Sequence, residues 1–289
     1  MLPLVGTLVV LVSVLGGYLL SHGHLLALWQ PYELLIIAGG ALGAFLIGNP
    51  GKIVKSAVKE AVGLVKPPAY GRQDYIDLLS LLYDIFGVMR KEGVLGLEPH
   101  IDDPHSSAVF SAYPRLLADH HMIEFITDCL RLIVTGSMNA HELEQLLEVE
   151  LETHHQESGA PSMAVTKVAD ALPGFGIVAA VLGIVTTMSQ LGGDTSLIGE
   201  HIAGALVGTF LGILLCYGFI GPLGQAMENR AQEDGVAFEC VKVGLLANLR
   251  GYNPKVAVEF ARKALSAQIR PNFADLETHL QTMHGKARA

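Results

Sequence analysis

Residues 170–193 read DALPGFGIVAAVLGIVTTMSQLGG. No charge falls between Asp170 and Asp194, and the run is long enough to cross a hydrocarbon core of ~30 Å at ~1.5 Å per residue. Lipid contact asks only for Leu, Ile and Val. This run is instead rich in Gly, Ala and Thr, with Pro173 near its start. Small residues let helices approach closely in lipid, where no hydrophobic effect drives them together. The stretch therefore reads as a membrane helix built to pack against another helix.

Three further apolar runs accompany it: Leu2 to Leu20, about Leu34 to Ile47, and about Ile202 to Ile220. The composition agrees. Of 289 residues, 51% are hydrophobic and only 16% charged, where soluble domains average about 25% charged. The first run lacks a basic start and a small-residue cleavage site, so it reads as a retained helix and not a signal peptide. All 19 Lys and Arg lie in residues 49–169 or 222–289, and the short connections 21–33 and 192–201 have none. By the positive-inside rule those connections face outward and both termini face the cytoplasm, with Tyr18, Trp29 and Tyr32 at an outer aromatic belt. The net charge of −9 argues against nucleic acid. Cys129, Cys216 and Cys240 form no spaced pair or metal pattern, as suits a reduced compartment.

The resulting expectation is an all-α integral membrane protein with four transmembrane helices. A helical cytoplasmic domain lies between spans two and three, and a helical C-terminal tail follows span four. The boundaries read as 1–48 for the first two spans, 49–169 for the domain, 170–222 for spans three and four, and 223–289 for the tail. Residues between spans two and three are too many for a plain linker. DYIDLLSLLYDIFGVMRKEG puts Tyr75, Leu79, Leu82, Phe86 and Met89 at helical spacing. HMIEFITDCLRLIV reads as a second helix. NAHELEQLLEVELETHHQE reads as a third, with Asn139 as cap and Glu142 completing a capping box. The tail has helical patterns around 225–248 and 255–267, separated by Gly251 and Pro254. No segment alternates as a strand would.

Gly204, Gly208 and Gly212 recur every four residues in span four, with Cys216 continuing the row; Gly39 and Gly43 do the same in span two. Thr186, Thr187, Ser189 and Thr209 add hydroxyls. One such hydroxyl usually bonds back to its own helix, but two small-residue spans that both carry hydroxyls suggest a wet seam. Apart from Asp170 at the border of the third, none of the four runs contains Asp, Glu, Lys, Arg or His. A proton relay needs a titratable group, so either nothing is conducted or a partner helix supplies it. GFGIVA follows no strand and opens a membrane span, so it is no dinucleotide site. HELEQ lacks the second His of a zincin. The pairs His120–His121 and His154–His155 read as exposed helix polarity. No catalytic constellation, resident cofactor or metal site is read, and the chain is not an enzyme.

These features resemble the MotA flagellar stator family within the MotA/TolQ/ExbB superfamily. The resemblance is most specific at ADALPGFGIVAAVLGIV and AGALVGTFLGILLCYGFIGPL, and extends to RLIVTGSMNAHELEQLLEVELETHHQE and LRGYNPKVAVEFARKAL. It implies a multi-pass subunit of the bacterial inner membrane, ringed in five copies around a pair of MotB helices. Each MotB helix supplies a membrane aspartate, and ion flow past it drives the rotor protein FliG. On the resemblance, Thr209 matches a pore-facing threonine. Ala180, Thr186, Thr187 and Thr209 line the ion path, Pro173 and Pro222 form coupling hinges, and Arg90 and Glu98 contact the rotor. Ala180 stands where sodium-type members carry threonine, which implies protons as the transported ion; a sodium-driven PomA-type stator is the alternative. From the residues alone, Pro173 suits a helix's first turn equally well, and Pro222 suits helix termination. Glu98, preceding Pro99, reads as extended or turn. An ExbB or TolQ-like energiser would have three spans. A passive scaffold would tolerate a large side chain at Ala180, and a solute transporter would want polar groups at mid-membrane.

Overall fold

The computed structural model describes residues 2–68, 70–136, 138–189 and 195–286. Its α-helices in chain order are α1 (Leu2–Leu20), α2 (Pro31–Gly48), α3 (Gly51–Gly63), α4 (Arg72–Glu92), α5 (Glu98–Asp102), α6 (Ala108–Ser111), α7 (Pro114–Leu117), α8 (His120–Val134), α9 (Ala140–Ser189), α10 (Thr195–Leu215), α11 (Gly221–Leu249), α12 (Pro254–Ala264) and α13 (Phe273–Lys286). Short 3-10 turns occupy Leu25–Leu28 and Val94–Leu97, and a π-helical turn occupies Cys216–Ile220. No strand occurs among the described residues. Four stretches are long and apolar enough to span a membrane: Pro3–Leu20, Leu25–Gly48, and windows within Ala140–Ser189 and Ile198–Leu249. The chain is an all-α, multi-pass membrane protein. The last residues of the third apolar run, Gln190–Gly193, and the start of the connection at 192–201 lie outside the described residues.

One compact unit comprises the chain up to Pro67 with Glu157–Ala231. Its core joins Ile37 and Ala41 of α2, Ala169, Leu172 and Ala179 of α9, and Cys216. α2 begins at Pro31, in the first turn, where a proline's missing N–H costs nothing. α3 was not anticipated. It buries Ala57 and exposes Lys52, Lys55 and Lys59, the pattern of a helix that lies in a membrane interface. Trp29 and Tyr32 are exposed, as a belt position allows. A side chain at Gly39 or Gly43 would meet nothing within 4 Å, whereas one at Gly40 would run into the Phe175 ring. The small face of span two is therefore not spent on packing within this chain.

Both prolines of the family pattern differ from the residue-based alternatives. Pro173 lies inside α9, as does Pro161; neither sits in a first turn. Each removes a helix hydrogen-bond donor and crowds the carbonyl four residues back. Pro222 does not end its helix. The chain runs from α10 through the π turn into α11. The widened turn relieves the clash that the Pro222 ring would have with the Gly218 carbonyl. At Gly221 any Cβ would come within 2.9 Å of the Cys216 oxygen, so a larger residue does not fit beside the turn.

The second unit comprises Pro68–Gln156 and Gln232–Ala289. In α4, Tyr75, Leu79, Leu82 and Phe86 are buried and Met89 is partly buried, as their spacing requires. They share one core with Met122, Ile126 and Leu130 of α8, Leu143 and Leu147 of α9, and Val241 and Leu245 of α11. Phe125 meets Phe238 edge-on at 5.2 Å, a favoured aromatic geometry. His154 is half-buried with its ring 4.5 Å from that of Phe238. Packing, not exposed polarity, is what it contributes. The predicted capping box is present. Asn139 Oδ1 accepts from the His141 and Glu142 N–H groups at 3.0 Å, and Glu142 Oε2 accepts from the Asn139 N–H at 2.9 Å. Cys129 and Cys240 are free and buried, and burial pushes both thiols up. Beyond the two tail helices read from sequence, α13 forms a further one, reached by a turn that Arg262 holds. Arg262 is buried, donates to Glu259 at 2.6 and 2.7 Å, and donates to the Pro271 carbonyl at 2.9 Å.

Candidate functional site

The residues assigned to an ion path lie on α9 and α10, and glycine brings these helices together. A Cβ at Gly176 would sit 3.1 Å from the Gly208 carbonyl oxygen and 3.3 Å from the Gly212 Cα. One at Gly212 would sit 2.7 Å from the Leu172 oxygen and 3.0 Å from the Gly176 Cα. Real Cβ atoms need ~3.5–4.0 Å to another carbon, so backbone here touches backbone. Toward the start of α10, Gly183 packs on Ala205, and Gly208 packs on Ala179 with the Ala180 nitrogen alongside. In the row implied by the four-residue spacing, Gly208 and Gly212 thus meet α9, while Gly204 faces Gln30 and Glu33.

The hydroxyls divide into two groups. Thr186 donates to the Leu182 carbonyl at 3.0 Å and Thr187 to the Gly183 carbonyl at 2.8 Å. Both bond to their own helix, as hydroxyls in apolar surroundings do. Thr187 is buried and Thr186 exposed. Thr209 is half-buried, and its hydroxyl bonds to no other described residue. Of the three threonines it is the one whose hydroxyl is left for an ion, a water or another chain. Ala180 is half-buried as well, its nitrogen 3.7 Å from a Cβ built on Gly208.

One feature overturns a sequence-based reading. The four runs as first bounded hold no charged residue or histidine beyond the bordering Asp170, but α2 starts earlier than its apolar core and takes Glu33 into its first turn. Glu33 Oε1 lies 3.1 Å from a Cβ built on Gly204, and its Cγ lies 3.4 Å from one on Gly208. Its Oε2 is excluded from solvent and has no hydrogen-bond partner among the described residues. A carboxyl group therefore sits on the same ridge as the seam.

Arg90 and Glu98 are in the second unit. Both are exposed, and neither forms an ion pair among the described residues. Arg90 lies in the last turn of α4, where a cation suits the helix dipole. Gly93 follows with φ 77°, a conformation glycine adopts without strain. It turns the chain into the 3-10 turn before α5. Glu98 is not extended: φ −49° and ψ −50° place it in α5, with Pro99 in the first turn. The preceding 3-10 turn already fixes a helical backbone at Glu98, which outweighs proline's preference for an extended neighbour. Behind this surface, Tyr113 donates to Asp84 at 2.8 Å, tying α4 to the segment before α7.

Two relatives match at full length. Motility protein A of Salmonella typhimurium is 46% identical over 283 residues, covering 98% of this chain and 96% of the relative. That of Escherichia coli is 47% identical over 283 residues, again 98% and 96%. The chain belongs to the motility protein A family. The Motility protein A N-terminal pattern matches residues 4–93 of this family member, and the MotA/TolQ/ExbB proton channel family pattern matches residues 118–240. The flagellar MotAB stator complex of Bacillus subtilis contains a similar structure, with TM-score 0.71 and 25% identity over 92% of this chain and 96% of that one. The proton channel pattern takes in Pro173, Ala180, Thr186, Thr187, Thr209 and Pro222. The N-terminal pattern takes in Glu33 and Arg90.

Proposed function

We propose that this flagellar stator subunit forms a proton channel with MotB in the bacterial inner membrane, with both termini in the cytoplasm, and converts proton flow into torque on FliG. Five copies would ring the MotB helices. MotB brings the aspartate, and the α9–α10 seam presents Ala180 and the free hydroxyl of Thr209 to it. The observation that carries the reading is this backbone-to-backbone seam, which holds a hydroxyl with no partner among the described residues. A helix packed only for anchorage needs no such group. Alanine at position 180 offers no oxygen to replace a sodium ion's water shell, which favours protons. Pro173 interrupts the hydrogen-bond ladder of α9, and Pro222 that of α11 just past the π turn after α10, so both lie where a span can flex against the helix that continues it. Arg90 and Glu98 engage charges on FliG. Exposed pairs of ~0.2–1 kcal/mol suit contacts that must form and break at each step.

Co-expression with a MotB partner in a stator-null cell tests the proposal. Restored swimming is expected, and Arg90→Glu or Glu98→Lys should weaken it without lowering the amount of chain in the membrane. Failure with every MotB tried refutes the motor reading. Speed that follows external sodium and survives a protonophore refutes the ion assignment.

A further inference from the structure

Glu33 makes none of the bonds that would explain it locally. An acidic residue in the third position of a helix commonly accepts from the N-cap backbone, but the Glu33 side chain bonds to no other described residue. Side chains lean toward the N-terminus of their helix, and Glu33 follows this: its Cγ is beside Gly208 and its Oε1 beside Gly204. The carboxyl thus points toward the start of α10, into space left open by two glycines. The ridge continues to Glu200, one turn before Gly204. Glu200 is exposed, and His201 beside it is half-buried. Gln30, also next to Gly204, is neutral, and from α9 the backbone and Cβ atoms of Ala179 and Ala180 pack on Gly208.

No lysine or arginine of the seam helices is available to neutralise this carboxylate. Every Lys and Arg lies in residues 49–169 or 222–289, and α2, α10 and residues 170–189 of α9 contain none. A second copy of the chain cannot supply one from these segments either. A carboxylate in a membrane span is costly unless compensated. A proton on Oε2 would supply that compensation. The same glycine, Gly208, separates Glu33 from Ala180, since a Cβ there would lie 3.4 Å from the Glu33 Cγ and 3.7 Å from the Ala180 nitrogen.

We propose that Glu33 is a proton-binding residue at the outer end of the α2–α9–α10 junction, loading the seam that Ala180 and Thr209 line. A hydronium ion of the outer water gives a proton to Glu33 Oε2, one O–H bond breaking as another forms; the proton then moves to the partner-supplied carboxylate, where an O–H bond forms as the one on Glu33 breaks. The inference rests on the stator reading above.

The test uses the full chain assembled with its MotB partner in motile cells. Glu33→Gln keeps the shape and removes the titration; Glu33→Asp keeps the titration and shortens the reach. Rotation speed at low load is recorded against external pH, with torque near stall and the number of assembled units as controls. Glu33→Gln should lower low-load speed several-fold and flatten its dependence on external pH. Torque per unit near stall should persist, because proton arrival is not limiting there. Glu33→Asp should keep a pH dependence with a displaced midpoint. A Glu33→Gln motor with wild-type speed and pH profile overturns the proposal. If that variant does not assemble, an unchanged profile for Glu33→Asp overturns it. Wild-type chain that turns no motor counts against the stator reading, not against Glu33.

Discussion

Gly212→Ala isolates what the seam contributes. The added Cβ would sit 2.7 Å from the Leu172 carbonyl oxygen and 3.0 Å from the Gly176 Cα. Both are backbone atoms that no rotamer change can move. Carbon–carbon contact is favourable at ~3.5–4.0 Å, so α9 and α10 must separate by roughly 0.5–1 Å. A gap of that size forfeits a quarter to a half of each contact's dispersion energy along the ridge, and overpacking of this kind costs ~1–3 kcal/mol. Gly43→Ala is the matched control. It adds the same methyl group to a membrane helix where nothing lies within 4 Å. Thermal unfolding of the detergent-solubilised protein, followed by circular dichroism, compares the two. Gly212→Ala should unfold at clearly lower temperature and Gly43→Ala near wild type. Equal unfolding temperatures for Gly212→Ala and wild type would refute the claim that backbone contact holds the two helices.

Three further outcomes follow from the same geometry. Ala180→Leu should leave the chain in the membrane at normal levels but abolish proton uptake by vesicles carrying the assembled complex, since its side chain would fill the seam. Asn139→Ala removes the acceptor for two backbone N–H groups and should cost ~1 kcal/mol of stability, read from the unfolding midpoint. Glu259 is held below its ordinary value of 4.5, first by its hydrogen bonds from Arg262. A depressed carboxyl stabilises the fold above that ordinary value and loses the contribution as pH falls through the folded one. Acidification below about pH 4.5 should therefore destabilise wild type more than Glu259→Gln. At neutral pH that variant should itself be less stable by ~1–3 kcal/mol, because it weakens the bonding of the buried Arg262.

Local signals carried much of this protein. Hydropathy marks four membrane helices because every backbone polar group in lipid must be satisfied within its own helix, so long apolar runs leave few alternatives. The α4 face and the Asn139–Glu142 box were legible because helical spacing and capping act over a few residues. The four-residue glycine row named the contact ridge. It did not say that Gly39 and Gly43 have no described residue within 4 Å of an added Cβ, since that depends on which helix packs where. The prolines show the same limit. Local rules allow Pro222 to stop a helix, and only the neighbouring π turn lets the helix continue. Glu98 takes its helical backbone from the turn before it, against the preference set by Pro99. Glu33 is the sharpest case. Beside Pro31 and Tyr32 it reads as the polar end of a connection. Its burial follows from α2 docking on two glycines of a helix distant in sequence, whose missing side chains make room for a carboxyl. Sequence by itself determined where this chain crosses the membrane, because that choice is made residue by residue against lipid. Tertiary packing alone decided which polar groups the crossing helices enclose.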